Sequence, residues 1–192
     1  MMRGLVLACF IAAGSVLGQP AAVFAEEMQS YAIDGPGAMR CADFVKDFDN
    51  PKVQRDVAIW TSGYLTAHQR LISQVYDLTP WQTPGVLLGM LKQFCTDRPQ
   101  ARVESGVAEL VGYLLPRALK NPEQVVAVGT GSSSVLLYVS VVKQVRERLG
   151  QEGFAAGPSL SDLAKSLADW QSAHGLPATG LADQATLVKL LK

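Results

Sequence analysis

The chain has 192 residues, 17 of them basic and 17 acidic, and no formal net charge at pH 7 with its two histidines neutral. That length admits one domain or two small ones. The charge balance and the lack of a basic stripe exclude a nucleic-acid partner, and beyond the N-terminus no run approaches the ~18 apolar residues that read as a membrane-spanning helix.

The first elements concern export. Met1 to Arg3 is short and basic, and "LVLACFIAAGSVL" follows, the length of a signal-peptide apolar region and short for a bilayer span. Val23 and Ala25 place the small-residue pattern of a cleavage site at "VFA". Residues 1–25 are therefore predicted to be a signal peptide, cut between Ala25 and Glu26. Cys9 lies too early in the apolar run for a lipoprotein. The mature protein then carries a charge near −1, has no membrane span and is periplasmic. Cleavage leaves two cysteines, Cys41 and Cys95. An even count in an oxidising compartment predicts one disulfide, and the wide spacing without C-x-x-C argues against a metal or redox pair.

Residues 26–40, broken by "DGPG", read as a flexible arm. Val53, Val57, Trp60, Tyr64 and Leu71 then recur at helical spacing, after Asn50 as cap and Pro51 at the first helical position. "YDLTPWQTPG" is a loop. Thr83 caps and Pro84 opens a helix through Cys95, with Leu88, Leu91 and Cys95 on one inward face. Asp97 and Pro99 open a third helix, whose inner face is Val103, Val107, Leu110 and Leu114 and whose limit is Pro116. "QVVAV" is a short helix or a strand, since periodicity does not separate the two in so short a run. "GTGSSS" at 129–134 lacks the lysine and the spacing of a phosphate loop and reads as a linker. Beyond it, Tyr138, Val142, Val145 and Leu149 mark a helix from near Val135. Leu160, Leu163, Leu167, Trp170 and His174 mark a second helix, stopped at Gly175. Asp183 caps a third, which carries Leu187, Leu190 and Leu191. The fold class is all-α: a disulfide-tied helical domain over 41–128, a linker at 129–134, and a three-helix bundle over 135–192.

The bundle resembles the peptidoglycan-binding-like domains of the PG_binding_1 type. "VKQVRERLGQEGF", "GP" and "LADWQSAHGLPATGLADQATLVKLL" match in order and spacing, through Leu149, Gly153, Phe154, Gly157, Pro158, Trp170, Gln171, His174, Gly175, Leu176, Thr179, Gly180, Asp183, Thr186 and Leu190. The resemblance implies a wall-binding module, and hence peptidoglycan or a wall-associated protein as partner. One departure stands out. The family's D-G-x-[FY]-G segment is missing between the G-P turn and the second helix, and with it an edge for glycan or peptide. The first region resembles the HdeA-like periplasmic helical proteins through Cys41, "WTSGYL" at 60–65, "YD" at 76–77 and "LLGMLKQFC" at 87–95. Secreted immunity proteins of bacterial toxin systems show a similar layout. The HdeA-like resemblance implies one disulfide tying the ends of that fold, and an acid-stress chaperone as the alternative function.

Chemistry-bearing groups are sparse. His68 and His174 lie in different modules without metal spacing, no G-x-S-x-G exists, and the paired carboxylates fall in polar stretches. No catalytic residue, metal ligand or cofactor is assigned, and the chain reads as a non-enzyme. Trp170 falls on the apolar stripe and reads as core rather than as a sugar platform. Gln171, His174 and Thr179 are the candidate polar contact rim for a ligand. Trp81, in a loop flanked by "TP", is either a contact for an unknown protein partner of the first module or a packed lid. The resulting reading is an exported, non-catalytic wall-binding protein, with an accessory or inhibitor of a cell-wall hydrolase as a further alternative.

Overall fold

A computed structural model describes residues 31–130 and 133–191. The expected signal peptide, its cleavage point at Ala25 and Glu26, and the start of the expected arm lie outside the described residues. Among the described residues, seven α-helices and one hairpin follow in chain order: α1 (Cys41–Lys46), α2 (Pro51–Leu71), α3 (Pro84–Asp97), α4 (Val103–Leu114), β1 (Val125–Thr130), β2 (Ser133–Tyr138), α5 (Val139–Gln151), α6 (Leu160–Ala173) and α7 (Gln184–Leu190). The protein is mainly helical, as the apolar periodicity implies. Ile33–Lys192 form one compact unit around two hydrophobic cores.

The first core is built by α1 to α4. Asn50 caps α2 by accepting from the Lys52 N–H at 3.0 Å, and Pro51 opens it. Val57 and Leu65 of α2 meet Leu88 and Leu91 of α3 and Val107 and Leu114 of α4 in this core. The disulfide joins Cys41 to Cys95, Cα to Cα 4.6 Å, and both residues are fully buried. It ties the start of α1 to the end of α3 across 54 residues. A closed loop of that length stabilises by roughly 4 kcal/mol in the chain-entropy view. One buried carboxylate, Glu104, receives the Tyr64 hydroxyl at 3.0 Å.

Three expectations are corrected here. The distal part of the arm over 26–40 is packed: Gly35–Ala38 form a 3-10 turn beneath Trp60, and Gly37 is buried there. Aromatic contact, invisible in a polar-looking sequence, holds it. The third helix begins at Val103 rather than at Asp97. The intervening backbone serves another partner, since the Ala101 and Pro99 carbonyls accept from the N–H groups of Cys41 and Ala42. Lastly, 129–134 is not a linker. Its described residues belong to an antiparallel hairpin in which Val126 pairs with Leu137 and Val128 with Val135. Residues 126, 128, 135 and 137 face one side at period two, and Val128 and Leu137 are buried in the second core. Consequently α5 starts at Val139, and Tyr138 is its N-cap residue, not a member of its first turn.

The second core joins this hairpin to α5, α6 and α7 through Val145, Leu149, Leu163, Leu167, Trp170 and Leu187. Ser159 and Asp162 form a reciprocal capping box at the start of α6. The carboxyl of Asp162 is held below the usual range by hydrogen bonds from the Ser159 side chain and then from its backbone. Asp183 caps α7 by accepting from the Thr186 N–H at 2.9 Å. No helix among the described residues is long and apolar enough to cross a membrane.

Candidate binding sites in the C-terminal half

Two helix ends in this half close in the same way. At the end of α5 the Phe154 N–H reaches the Leu149 carbonyl at 2.8 Å, and at the end of α6 the Leu176 N–H reaches the Gln171 carbonyl at 2.8 Å. Gly153 at φ +86° and Gly175 at φ +70° supply the left-handed residue each closure needs. The "LGQEGF" and "QSAHGL" segments are therefore explained as helix stops before any ligand is considered.

The three candidate rim residues have different fates. Gln171 is fully buried. Its Nε2 donates to the Leu181 carbonyl at 2.9 Å and to Thr186 Oγ1 at 2.7 Å, and its Oε1 accepts from the Gly180 N–H at 2.8 Å. Its polar atoms are consumed in fastening the "LPATG" turn to α6, so it is a positioning residue and does not form part of a contact rim. Thr179 is exposed at the tip of that turn and shares a hydrogen bond with Gln171. His174 is half-buried at the C-cap of α6. Its Nδ1 lies 2.8 Å from the Trp170 carbonyl, its Nε2 lies 3.3 Å from Glu152, and its ring stacks on Trp170 with centroids 4.2 Å apart.

Trp170 is a core residue, 1% exposed, and its indole N–H donates to Glu152 at 2.6 Å. Glu152 was not singled out by the sequence, because its partners sit 18 and 22 residues on and share no motif with it. The Ser-x-x-Asp signature of the α6 box was legible and stood just before the apolar stripe.

The connection between α5 and α6 is short, as the missing segment implies. Arg146 fills its inner side by donating to the carbonyls of Gly157, Pro158 and Ser159, the latter two at 3.1 and 2.9 Å.

Trp81 sits where the two cores meet. It is half-buried and packs against the second core, while its carbonyl accepts from Gln184 Nε2 at 2.7 Å. The packed-lid reading describes its backbone side; its ring also borders an open cleft of about 300 Å³. That cleft is lined from the first half by Tyr113 and Arg117 and from α5 by Gln144, Arg148 and Gln151. Beside it lies an apolar compartment of about 190 Å³ between Val86, Met90 and Val188, with Trp81 and Tyr113 shared by both. Apart from Trp81, the cleft residues carry no sequence signal, because residues far apart along the chain meet only through the packing of the two cores. Among the described residues no group of three metal-ligating side chains gathers.

Residues 140–190 match the family model PG_binding_1, Putative peptidoglycan binding domain. The match spans α5, α6 and α7 and leaves out the hairpin and the whole first core. No curated protein and no solved structure matches the chain. The HdeA-like resemblance of the first region is not shown by these comparisons.

Proposed function

We propose that this protein is an exported, non-catalytic protein that localises to peptidoglycan in the periplasm through its C-terminal half. The family match over 140–190 is the observation that supports this reading. The disulfide between Cys41 and Cys95 agrees with an oxidising compartment. The first core, which the family match does not cover, serves in this reading as the module for a protein partner.

The test is sedimentation of the mature full chain with purified sacculi at low and moderate salt. Binding carries the chain into the pellet, in proportion to the sacculi added. A chain that stays in the supernatant at every salt concentration removes the wall-binding reading. Muropeptide release in the same tubes measures whether the chain cuts the wall; release above the buffer control would overturn the non-catalytic assignment.

A further inference from the structure

The hairpin leaves the outer edge of β2 open. α6 packs against β1, whereas β2 has β1 on one side and, apart from α5 continuing from its end, no other described element along its length. In an antiparallel ladder the backbone groups of alternate residues point to opposite sides, so about half of those of β2 point away from β1. Among the described residues, the outward N–H and C=O groups of β2 meet no other backbone. Proteins blunt such an edge with lysine, proline, a bulge or a covering element. The ladder here runs without a bulge, and from Gln124 to Val142 the sequence carries neither a charged residue nor a proline. That is the longest uncharged run after the expected signal peptide. Leu136, in the middle of the strand, is 70% exposed on the outer face. Val135 and Leu137 point the other way, toward the second core.

An open strand edge accepts another strand, because an extended chain presents donors and acceptors at the matching spacing. The uncharged run favours one partner strand, β2 of a second copy. It brings no like charges into the pairing, and a formal net charge of zero sets no long-range repulsion between two chains. Antiparallel pairing of identical strands is also closed by a two-fold axis, so it stops at two chains.

We propose that two copies of this chain pair through β2, antiparallel about a two-fold axis, into a four-stranded sheet ordered β1–β2–β2–β1. Two registers keep inward side chains facing inward along most of the strand, setting either Val135 or Leu136 opposite its own copy. The second is the one proposed, because it covers the exposed Leu136 of each chain with that of the other and sets Val135 against Leu137 on the inner face. Both second cores then lie on the same side of the sheet, and the dimer carries two family-matched segments. On the wall-binding reading, two such modules on one body hold a polymer more firmly than either alone. The pairing itself does not rest on that reading.

Sedimentation equilibrium of the mature full chain, from micromolar to millimolar protein, tests the pairing. The weight-average mass rises with concentration from one chain toward two. Leu136→Lys changes an exposed position, sets like charges across the axis and weakens the dimer about tenfold or more. Leu136→Glu does the same, and equal melting temperatures of the dilute proteins show that both fold. Mixed in equal amounts, the two variants place opposite charges across the axis and recover the association. Leu71→Lys, at another exposed leucine, on α2, leaves it unchanged. A single-chain mass at every concentration overturns the proposal. So does association that Leu136→Lys leaves intact, a mass that climbs beyond two chains, or a mixture that fails to recover. Sacculus sedimentation separates this claim from the wall reading. A dimer that does not pellet removes the wall reading and leaves the pairing; a chain that pellets yet stays single in solution does the reverse.

Discussion

The side-chain amide of Gln184 grips the backbone at Trp81. Its Nε2 donates to the Trp81 carbonyl at 2.7 Å, and its Oε1 accepts from the Thr83 N–H at 3.0 Å. One residue at the start of α7 thus satisfies a donor and an acceptor in the loop before α3, 101 to 103 positions away. The Tyr138 hydroxyl adds a second tie. Burial, and then the charge of Asp77 and a hydrogen bond to it, push that hydroxyl's pKa upward. These ties join the two cores and set the position of the cleft between them.

Gln184→Ala removes both bonds of the grip. Each is partly solvated, so the expected loss is about 1 to 2 kcal/mol. For a chain of this size that lowers Tm by roughly 2 to 8 °C. Thermal unfolding followed by circular dichroism reads it. An unchanged Tm would show that apolar packing alone holds the cores together.

Gln171→Leu keeps the volume in the core but leaves the Gly180 N–H, the Leu181 carbonyl and the Thr186 hydroxyl without their partner. The expected cost is about 3 kcal/mol, because groups buried without a partner forfeit their desolvation energy. Urea unfolding measures it. Thr179→Ala, at the exposed tip of the same turn, should cost under about 1 kcal/mol, which separates a buried hub from a surface contact.

The Asp162 carboxyl has a folded-state pKa below its unfolded value. Its contribution is therefore present above the unfolded pKa and is lost as pH falls through the folded one. Tm of the native chain should decline through the acid range below pH 4. In Asp162→Asn the amide does not titrate, and this part of the decline should disappear. Parallel melts from pH 7 to pH 2 decide it; identical slopes in both proteins would deny the box a role in acid sensitivity.

The hairpin makes a prediction about boundaries. A fragment of residues 135–192 discards β1 and with it Val128, which is fully buried in the second core. Burying one such side chain is worth about 1.5 to 3 kcal/mol, a large share of the stability of so small a bundle. Residues 121–192 should melt cooperatively, whereas residues 135–192 should show a broad transition or none. Equal melts would mean that the hairpin is dispensable to the core.

Much of this fold is legible along the chain because helices are local. Asn50 with Pro51, Thr83 with Pro84, Asp183, and the glycines at 153 and 175 mark ends within a few residues of the apolar stripes they bound. The cysteine pair was legible for a different reason, since only two remain after the expected cleavage. The hairpin was not, because "VVAVGT" and "SSVLLY" are short runs whose period is ambiguous until a partner face selects it. Gln171 looked like a surface group because a polar residue beside an apolar stripe gives no sign that a turn will fold back over it.

Local chemistry in the sequence determined where most helices start and stop, much of the apolar face each turns inward, which cysteines pair and which family the last third resembles, although α4 and α5 begin later than the spacing implies and Leu71, on the stripe of α2, is exposed. Each of those depends on contacts a few residues apart, or on a choice with one outcome. Tertiary structure alone decided that Gln171 is a buried hub, that 125–138 pairs as a hairpin, that Arg146 seals the shortened connection, and that Trp81 meets Tyr113, Arg117 and Arg148 around one cleft. Those contacts join residues brought together by the burial of two cores, and no spacing along the chain encodes them.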